Sequence, residues 1–550
     1  MEGQMLKDRS AVSNFKIRVF FVFLFFVLLF FLVIARLFFL QVVRNQFFTN
    51  MASQQYDFQF FITPPRSQIF DRNNFPLTYN KKVKSAFVAP HEFREKEKTM
   101  QFLHKNYPKV YKQINDYPKR KFFWVERKLS EEKLSFLEKN KTEDINFIEE
   151  NQRFYPIVSL APLIGFTNID NQGISGLELL YNGQLAGSAA MIKAEKDARA
   201  KKYYFTKMVE EDGLLGKDLH LTIDEKLQAL ANAELEEAIN SIGAKEGAVV
   251  IMNPQNGEIL AMVSYPAANP NEEIKSLEDT KNRIISDCFE FGSVVKAFLA
   301  LAALEKGVVT PEEIIDCEGK STYIDHFLVT NWKSVGKISF SEVLQHSSDV
   351  GTAKVAKRVG EDLYKYYRKL GLGSLTGLGF PGERSGFVNP PGKWSRSSIL
   401  VLSFGYELNG TLLQIARAFS IIANEGYDVR PKIVLDEKDS KSVQAKGEKL
   451  FSDRAISQLK DILQTIGEKY KVSGFRVMGK TGTARLLDHG HYSKTKHIYT
   501  FAGIVEKGDY KRVVVTFIKE PKSASLWASE TAAPLFQKIA EKMVLHERLG

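Results

Sequence analysis

A chain of 550 residues with 44% hydrophobic and 26% charged side chains is too long for one ordinary domain and too apolar for global disorder. Its formal net charge of +11 raises nucleic acid as a ligand, but the basic residues are interspersed with acidic ones, and neither zinc-finger spacing nor an aromatic RNA-binding pattern is present. A basic face towards an anionic membrane or envelope polymer fits better, and no nucleic-acid partner is expected.

The first element in the chain is an apolar run. Val19 to Ala35 carries no charge, and Leu37 to Val43 continues it past Arg36. That length crosses a bilayer with snorkelling at Arg36 and Arg44. A cleaved signal peptide is the rival reading, but the run exceeds an ordinary signal core and no small-x-small cleavage site follows it. Lys7, Arg9, Lys16 and Arg18 outweigh Glu2 and Asp8 ahead of it. Residues 1–18 are therefore expected as a cytoplasmic tail and 19–43 as a single-pass anchor in the cytoplasmic membrane, with the rest on the periplasmic or extracellular side.

Beyond the anchor, "PPRSQIFDRNNFPLTYN" (64–80) predicts strand, turn and strand. Residues 81–150 are lysine-rich and weakly periodic, which suggests small helices and strands without chemistry. The glycines of 161–187 imply tight turns in a non-enzymatic support.

The texture changes at residue 216. Asp224 caps an amphipathic helix, "EGAVVIMNPQNGEILAMVSYP" (246–266) predicts a hairpin, and a second hairpin is expected over 499–520. Helical stretches fill the interval, one with Ser339 and Glu342 as a capping box. The fold class is thus α/β of the α+β kind, a largely antiparallel sheet flanked by helices. Cys288 and Cys317 are treated as buried thiols whose pairing is open. "HGH" at 489–491 has no HExxH or CxxC beside it, so neither metal nor cofactor is expected.

The chemistry gathers in three short stretches. Ser-x-x-Lys occurs six times, so the pattern alone is noise. Only at Ser293 and Lys296 does it follow a glycine and open a long apolar helix, where a serine oxygen gains from helix-terminal N–H groups. "SSD" (347–349) is the one Ser-x-Asn/Asp, and "KTGT" (480–483) the one Lys-Thr/Ser-Gly. Separately they read as a helix cap and an edge strand. In this order they are the set used by active-site serine acyltransferases.

Ser293 would be the nucleophile and Lys296, at i+3, its base. Lysine accepts a proton only where its charged form is disfavoured, and apolar surroundings with a nearby cation such as Lys480 do that. Ser347 would pass a proton to the leaving amine. Lys480, Thr481 and Thr483 would hold a substrate carboxylate, Gly482 would admit the ligand to the strand backbone, and the N–H groups of Ser293 and Thr483 would form the oxyanion hole.

The chain resembles the class B penicillin-binding proteins. "RSQIFDRNN", "RFYP", "GISGLE", "LTID", "EFGSVVK", "EVLQHSSDVGTAK", "FPGERSG", "SFGYELNGTLLQIARA" and "AAPLF" all resemble that family in its order, over most of residues 60–540. The resemblance implies a pedestal over 46–215, of the penicillin-binding-protein dimerisation type, and a penicillin-binding transpeptidase domain over 216–550. It implies a D,D-transpeptidase that takes stem peptides ending in D-Ala-D-Ala as donors and an amine of a neighbouring stem as acceptor, with β-lactams as covalent inhibitors. No glycosyltransferase segment precedes the pedestal, so a multi-span glycan polymerase and other division proteins are the expected partners.

"GKTGTARLLDHGHYSKTKHIYTFAGIV" is similar to the tyrosine-containing loop of the cell-division members. Asp349 departs from them, because division members usually carry asparagine there and elongation members often aspartate. A carboxylate at that position also favours the ammonium form of Lys296. The septal role is the first reading and an elongation-type transpeptidase the second. A D,D-carboxypeptidase or β-lactamase would pass the acyl group to water, a penicillin-binding sensor would acylate without turnover, and a scaffold for the division machinery would not need Ser293 at all.

Overall fold

A backbone in lipid must satisfy its own hydrogen bonds, so an uncharged run of this length has the helix as its natural form. In the computed structural model, which describes residues 2–62, 64–140, 142–188, 190–196, 203–211, 214–435, 447–522 and 527–549, helix α1 (Glu2–Phe38) continues into a π turn over Phe39–Val43. It begins well before the apolar run, because residues 2–18 contain no proline to stop it. The first residue of the expected cytoplasmic tail lies outside the described residues. Phe15–Val43 is long and apolar enough to cross a membrane, and none of its most apolar window is buried.

The chain divides into two units, Met1–Pro64 with Gly187–Leu215, and Pro65–Ala186 with Gly216–Gly550. The first holds α1 and an antiparallel sheet in which Ala190–Lys196 lies between Asp57–Ile62 and Tyr203–Glu211.

In the second unit, Tyr79–Val88 pairs with Phe123–Glu126 on one side and Ile145–Phe154 on the other. Their small core includes Ala86, Val88, Leu103, Phe123 and Leu137. Two features tie the segment from Pro65 to Ala186 to the region that begins at Gly216. Ile69–Phe70 pairs in parallel with Leu219–His220, and Ile69, Leu77, Leu160 and Leu163 belong to the same core cluster as Val250 and Phe298. Within the segment, Glu178 is fully buried between the guanidiniums of Arg66 (2.5 Å) and Arg153 (2.7 Å).

The larger part opens as its caps predict. Asp224 accepts from the N–H groups of Lys226 and Leu227 and starts α2 (Glu225–Ile242), which ends on Gly243 in the left-handed region. Strands β1 (Glu246–Met252) and β2 (Ile259–Tyr265) form the expected hairpin. Next come α3 (Lys296–Lys306), α4 (Asp349–Val359) and α5 (Leu412–Ala423), then β3 (Arg476–Asp488), β4 (His491–Lys507), β5 (Tyr510–Lys519) and α6 (Ala532–Leu549). The Ser339–Glu342 capping box is present.

The five strands form one antiparallel sheet in the order β2-β1-β5-β4-β3, which leaves β3 at an edge. Alternation divides the sheet between two cores. Ala248, Val250 and Met252 pack with Phe298 of α3 and Phe419 of α5, while Val249 and Ile251 pack with Leu235 of α2 and Phe536 of α6. Helix α3 is buried all round from Lys296 to Leu304. A lysine at its first position therefore has its side chain enclosed by protein.

Candidate active site

Ser293 lies in a 3₁₀ turn, Gly292–Val295, that leads into α3, and Lys296 is the first residue of the α-helix itself. A 3₁₀ turn brings i and i+3 onto one side, as the spacing predicts. The turn is wedged against the edge strand β3. Gly292 has φ +56°, and a Cβ on it would lie 2.6 Å from the Thr483 carbonyl oxygen. A Cβ on Gly482 would lie 2.5 Å from Val294 Cγ2 and 2.6 Å from the Phe291 carbonyl oxygen. Glycine at both positions is what allows turn and strand to meet.

The third stretch closes over them. Ser347, between the helix Phe340–Gln345 and α4, has φ +56°, a left-handed conformation that costs a non-glycine residue about 1–3 kcal/mol. Its hydroxyl oxygen accepts from Lys296 Nζ at 3.1 Å and from Lys480 Nζ at 3.2 Å. With both lone pairs engaged, the hydroxyl proton is left to be donated to a third group. The loop is held by the buried Ser348, which caps α4 at the Gly351 N–H (3.0 Å) and donates to Asn331 Oδ1 (2.9 Å). Asn331 in turn donates to the carbonyls of Cys317 and Gly319.

Lys296 is 0% exposed. Its Nζ donates to the Ser347 carbonyl at 2.7 Å and to the Asp349 carboxylate. Among the described residues Ser293 Oγ makes no hydrogen bond, so the expected Ser293–Lys296 bond is not formed. The reason is competition, because a carboxylate draws an ammonium more strongly than a hydroxyl does.

Lys480, 1% exposed, donates to Ser347 and to the Thr481 carbonyl (3.2 Å), with no ion pair among the described residues. Burial, and then the Lys296 charge, push it down to about 7, against a smaller upward pull from Asp349. Lys480 can thus stand unprotonated near neutral pH. Thr481 and Thr483 are half-buried on the edge strand, where Thr483 Oγ1 accepts from the Ala528 N–H at 3.4 Å.

Lys296, Ser347, Asp349 and Lys480 therefore form one hydrogen-bonded cluster, with Gly482 and Thr483 against the Ser293 turn. Motif reading missed the residues that brace it. Glu290, three positions before Ser293, accepts on one oxygen from the Glu407 N–H (3.0 Å) and from the Tyr492 hydroxyl (3.2 Å). Their separation in the chain left no local signal to find. Cys288 is half-buried rather than buried, Cys317 is buried, and both are free thiols.

Residues 247–541 match the penicillin-binding protein transpeptidase domain, and residues 61–221 match the penicillin-binding protein dimerisation domain. The chain belongs to the penicillin-binding protein transpeptidase family. With a dimerisation domain ahead of the transpeptidase domain and an apolar N-terminal helix long enough to cross a membrane, it is a class B, FtsI-like member. It is 32% identical to the peptidoglycan D,D-transpeptidase FtsI of Buchnera aphidicola subsp. Schizaphis graminum, over 88% of this chain and 86% of that one. It is 30% identical to the probable peptidoglycan D,D-transpeptidase PbpC of Pseudomonas aeruginosa, over 92% and 91%. Penicillin-binding protein 3 of Mycobacterium tuberculosis, solved with aztreonam, superposes with a TM-score of 0.68 at 25% identity, over 89% of this penicillin-binding protein and 98% of that chain.

Proposed function

We propose that the protein is a membrane-anchored peptidoglycan D,D-transpeptidase that crosslinks stem peptides through an acyl-enzyme on Ser293, in septal wall synthesis. The observation that supports this most directly is the Ser347 hydroxyl shared by two buried lysines beside the Ser293 turn.

In this reading Ser293 Oγ attacks the carbonyl carbon of the penultimate D-alanine of the donor. Its proton goes to the neutral form of Lys296. The N–H groups of Ser293 and Thr483 receive the oxyanion. Ser347 then gives its proton to the nitrogen of the departing D-alanine and regains one from the lysine pair. Thr481, Thr483 and Lys480 hold the terminal carboxylate. An acceptor amine attacks the ester and completes the crosslink, and a β-lactam follows the first half of the path and stays on Ser293.

The anchor places the catalytic domain outside the cytoplasm, with 1–18 inside, 19–43 across the membrane, 46–215 as pedestal and 216–550 as transpeptidase domain. A multi-span glycan polymerase and further division proteins are the partners of anchor and pedestal. Asp349 favours a second reading, an elongation-type transpeptidase. Depletion in the source cell separates the two, since filaments mark division and rounded cells mark elongation.

The acyl-enzyme is tested with fluorescent penicillin. The protein labels covalently and Ser293→Ala does not; label that persists in the alanine variant defeats the assignment.

A further inference from the structure

Strands β3 and β4 outrun their sheet. Strand β5 pairs with β4 only from Ile498 onward, and beyond the root, where the His497 carbonyl accepts from the Glu520 N–H, the strands of the 485–497 arm pair with each other. A two-stranded arm of that kind is marginal alone and needs something to dock on. Within the arm Lys496 pairs with Asp488 at 2.7 Å, which closes the hairpin but fixes it to nothing else.

Near its root Leu486 packs against the main core and the Arg485 backbone bonds Tyr406; nearer the tip, two contacts among the described residues reach out of it, both through Tyr492. The hydroxyl donates to Glu290 Oε1 at 3.2 Å, and the ring meets Tyr406 edge to face at 5.1 Å. Both partners belong to the surroundings of the nucleophile. Glu290 leads into the Ser293 turn. Tyr406 follows Gly405, whose φ is +89° and on which a Cβ would lie 2.2 Å from the Gly292 carbonyl oxygen. The Glu407 N–H, also in a residue of positive φ (+58°), donates to the oxygen that Tyr492 uses. A single carboxylate oxygen thus joins three segments that are otherwise distant in sequence.

We propose that Glu290 is a positioning residue: its carboxylate latches the 485–497 arm and the Tyr406–Glu407 loop onto the Ser293 turn, so that docking of the arm and acylation of Ser293 are coupled. This rests on the acyl-enzyme reading above. The carboxylate is the stronger acceptor, so a proton on Glu290 loosens the latch. Burial lifts the Glu290 carboxyl above its ordinary value, and the bonds from Tyr492 and Glu407 only partly offset this, so loosening begins at a higher pH than for an exposed glutamate. The titratable groups facing it are Tyr492 from the arm, and Tyr406 and Glu407 from the loop. Burial holds both phenols above their ordinary values, so they stay neutral across the acid range.

The test uses the full chain in detergent. Hydrogen exchange of the amides of 487–497, corrected for intrinsic rates, is followed together with the rate of labelling by fluorescent penicillin, resolved into binding and acylation. Tyr492→Phe and Glu290→Ala should each exchange faster in the arm and acylate more slowly, by about tenfold in Tyr492→Phe, the loss of one hydrogen bond to a charged group, and by more in Glu290→Ala, which loses two. Glu290→Gln, whose amide oxygen still accepts, should lie between wild type and Glu290→Ala. Arm protection in wild type should fall on acidification and stay level in Glu290→Gln. Arm exchange unchanged in Tyr492→Phe and Glu290→Ala overturns the latch, and faster exchange with unchanged acylation overturns the coupling. Slower acylation with an undisturbed arm would confine Glu290 to the turn and also overturns the proposal. Should Glu290→Ala fail to fold, Tyr492→Phe decides. Label on a residue other than Ser293 would defeat the acyl-enzyme reading while the exchange result stood.

Discussion

Replacing Lys480 by methionine should stabilise the protein while abolishing acylation. Lys480 is enclosed, with a hydroxyl and a carbonyl as its partners and no ion pair among the described residues. Its fall from 10.5 to about 7 corresponds to about 5 kcal/mol set against the charged native state. Below pH 7 the amine is charged in both folded and unfolded chains, and the whole of that cost weighs on the fold. Between 7 and 10.5 the folded state binds fewer protons than the unfolded state, so stability rises with pH; above 10.5 the cost is gone. Methionine keeps the apolar stem and forfeits two hydrogen bonds of about 1 kcal/mol each. The net gain at pH 6.5 is therefore about 3 kcal/mol, or roughly 4 °C in Tm for a domain of this size. It should shrink as pH rises and reverse near pH 9. Thermal unfolding of the full chain in detergent at pH 6.5, 8 and 9.5 measures it, with penicillin labelling of the same samples. A lower Tm at every pH, or a difference that ignores pH, would refute the reasoning.

Two further substitutions probe carboxylates held between cations. Asp349→Asn removes the charge that holds Lys480 up, so the pH–acylation profile should move to lower pH and acylation at pH 6 should quicken about fivefold, the worth of a partly exposed ion pair. A second-order labelling rate measured from pH 5.5 to 9 checks this, and an unmoved profile counts against it. Glu178→Ala leaves the buried guanidiniums of Arg66 and Arg153 facing each other, at a cost of about 3–5 kcal/mol. Its Tm should fall by several degrees; an unchanged Tm would mean that the triad contributes nothing to holding the segment together.

Signals decided within a few residues carried over from sequence to structure. Asp224 and Ser339 cap their helices because a cap is settled inside one turn, and both hairpins form where alternation and turn residues place them. Ser293, Lys296, Ser347 and Lys480 could be singled out together because their residue types and order have few other uses, and the fold brings their three stretches side by side. Contacts across long separations left no trace in spacing. Glu290 meets Tyr492 across 202 positions and Arg66 meets Glu178 across 112, and only the fold reveals such pairs.

Spacing was equally silent on which acceptor an ammonium takes when several are in reach. The i+3 relation puts Lys296 on the side of Ser293, yet its Nζ turns to Asp349 and the Ser347 carbonyl. Asp349 pairs with Lys296 as an ammonium, and the other amine in the cluster, Lys480, is joined to it by the Ser347 oxygen. Burial without an ion pair makes Lys480 ready to exist without a proton near neutral pH. An aspartate at 349, which on its own works against Lys296 as a base, thus leaves Lys480, buried without a carboxylate partner among the described residues, as the amine of the cluster that can stand unprotonated near neutral pH.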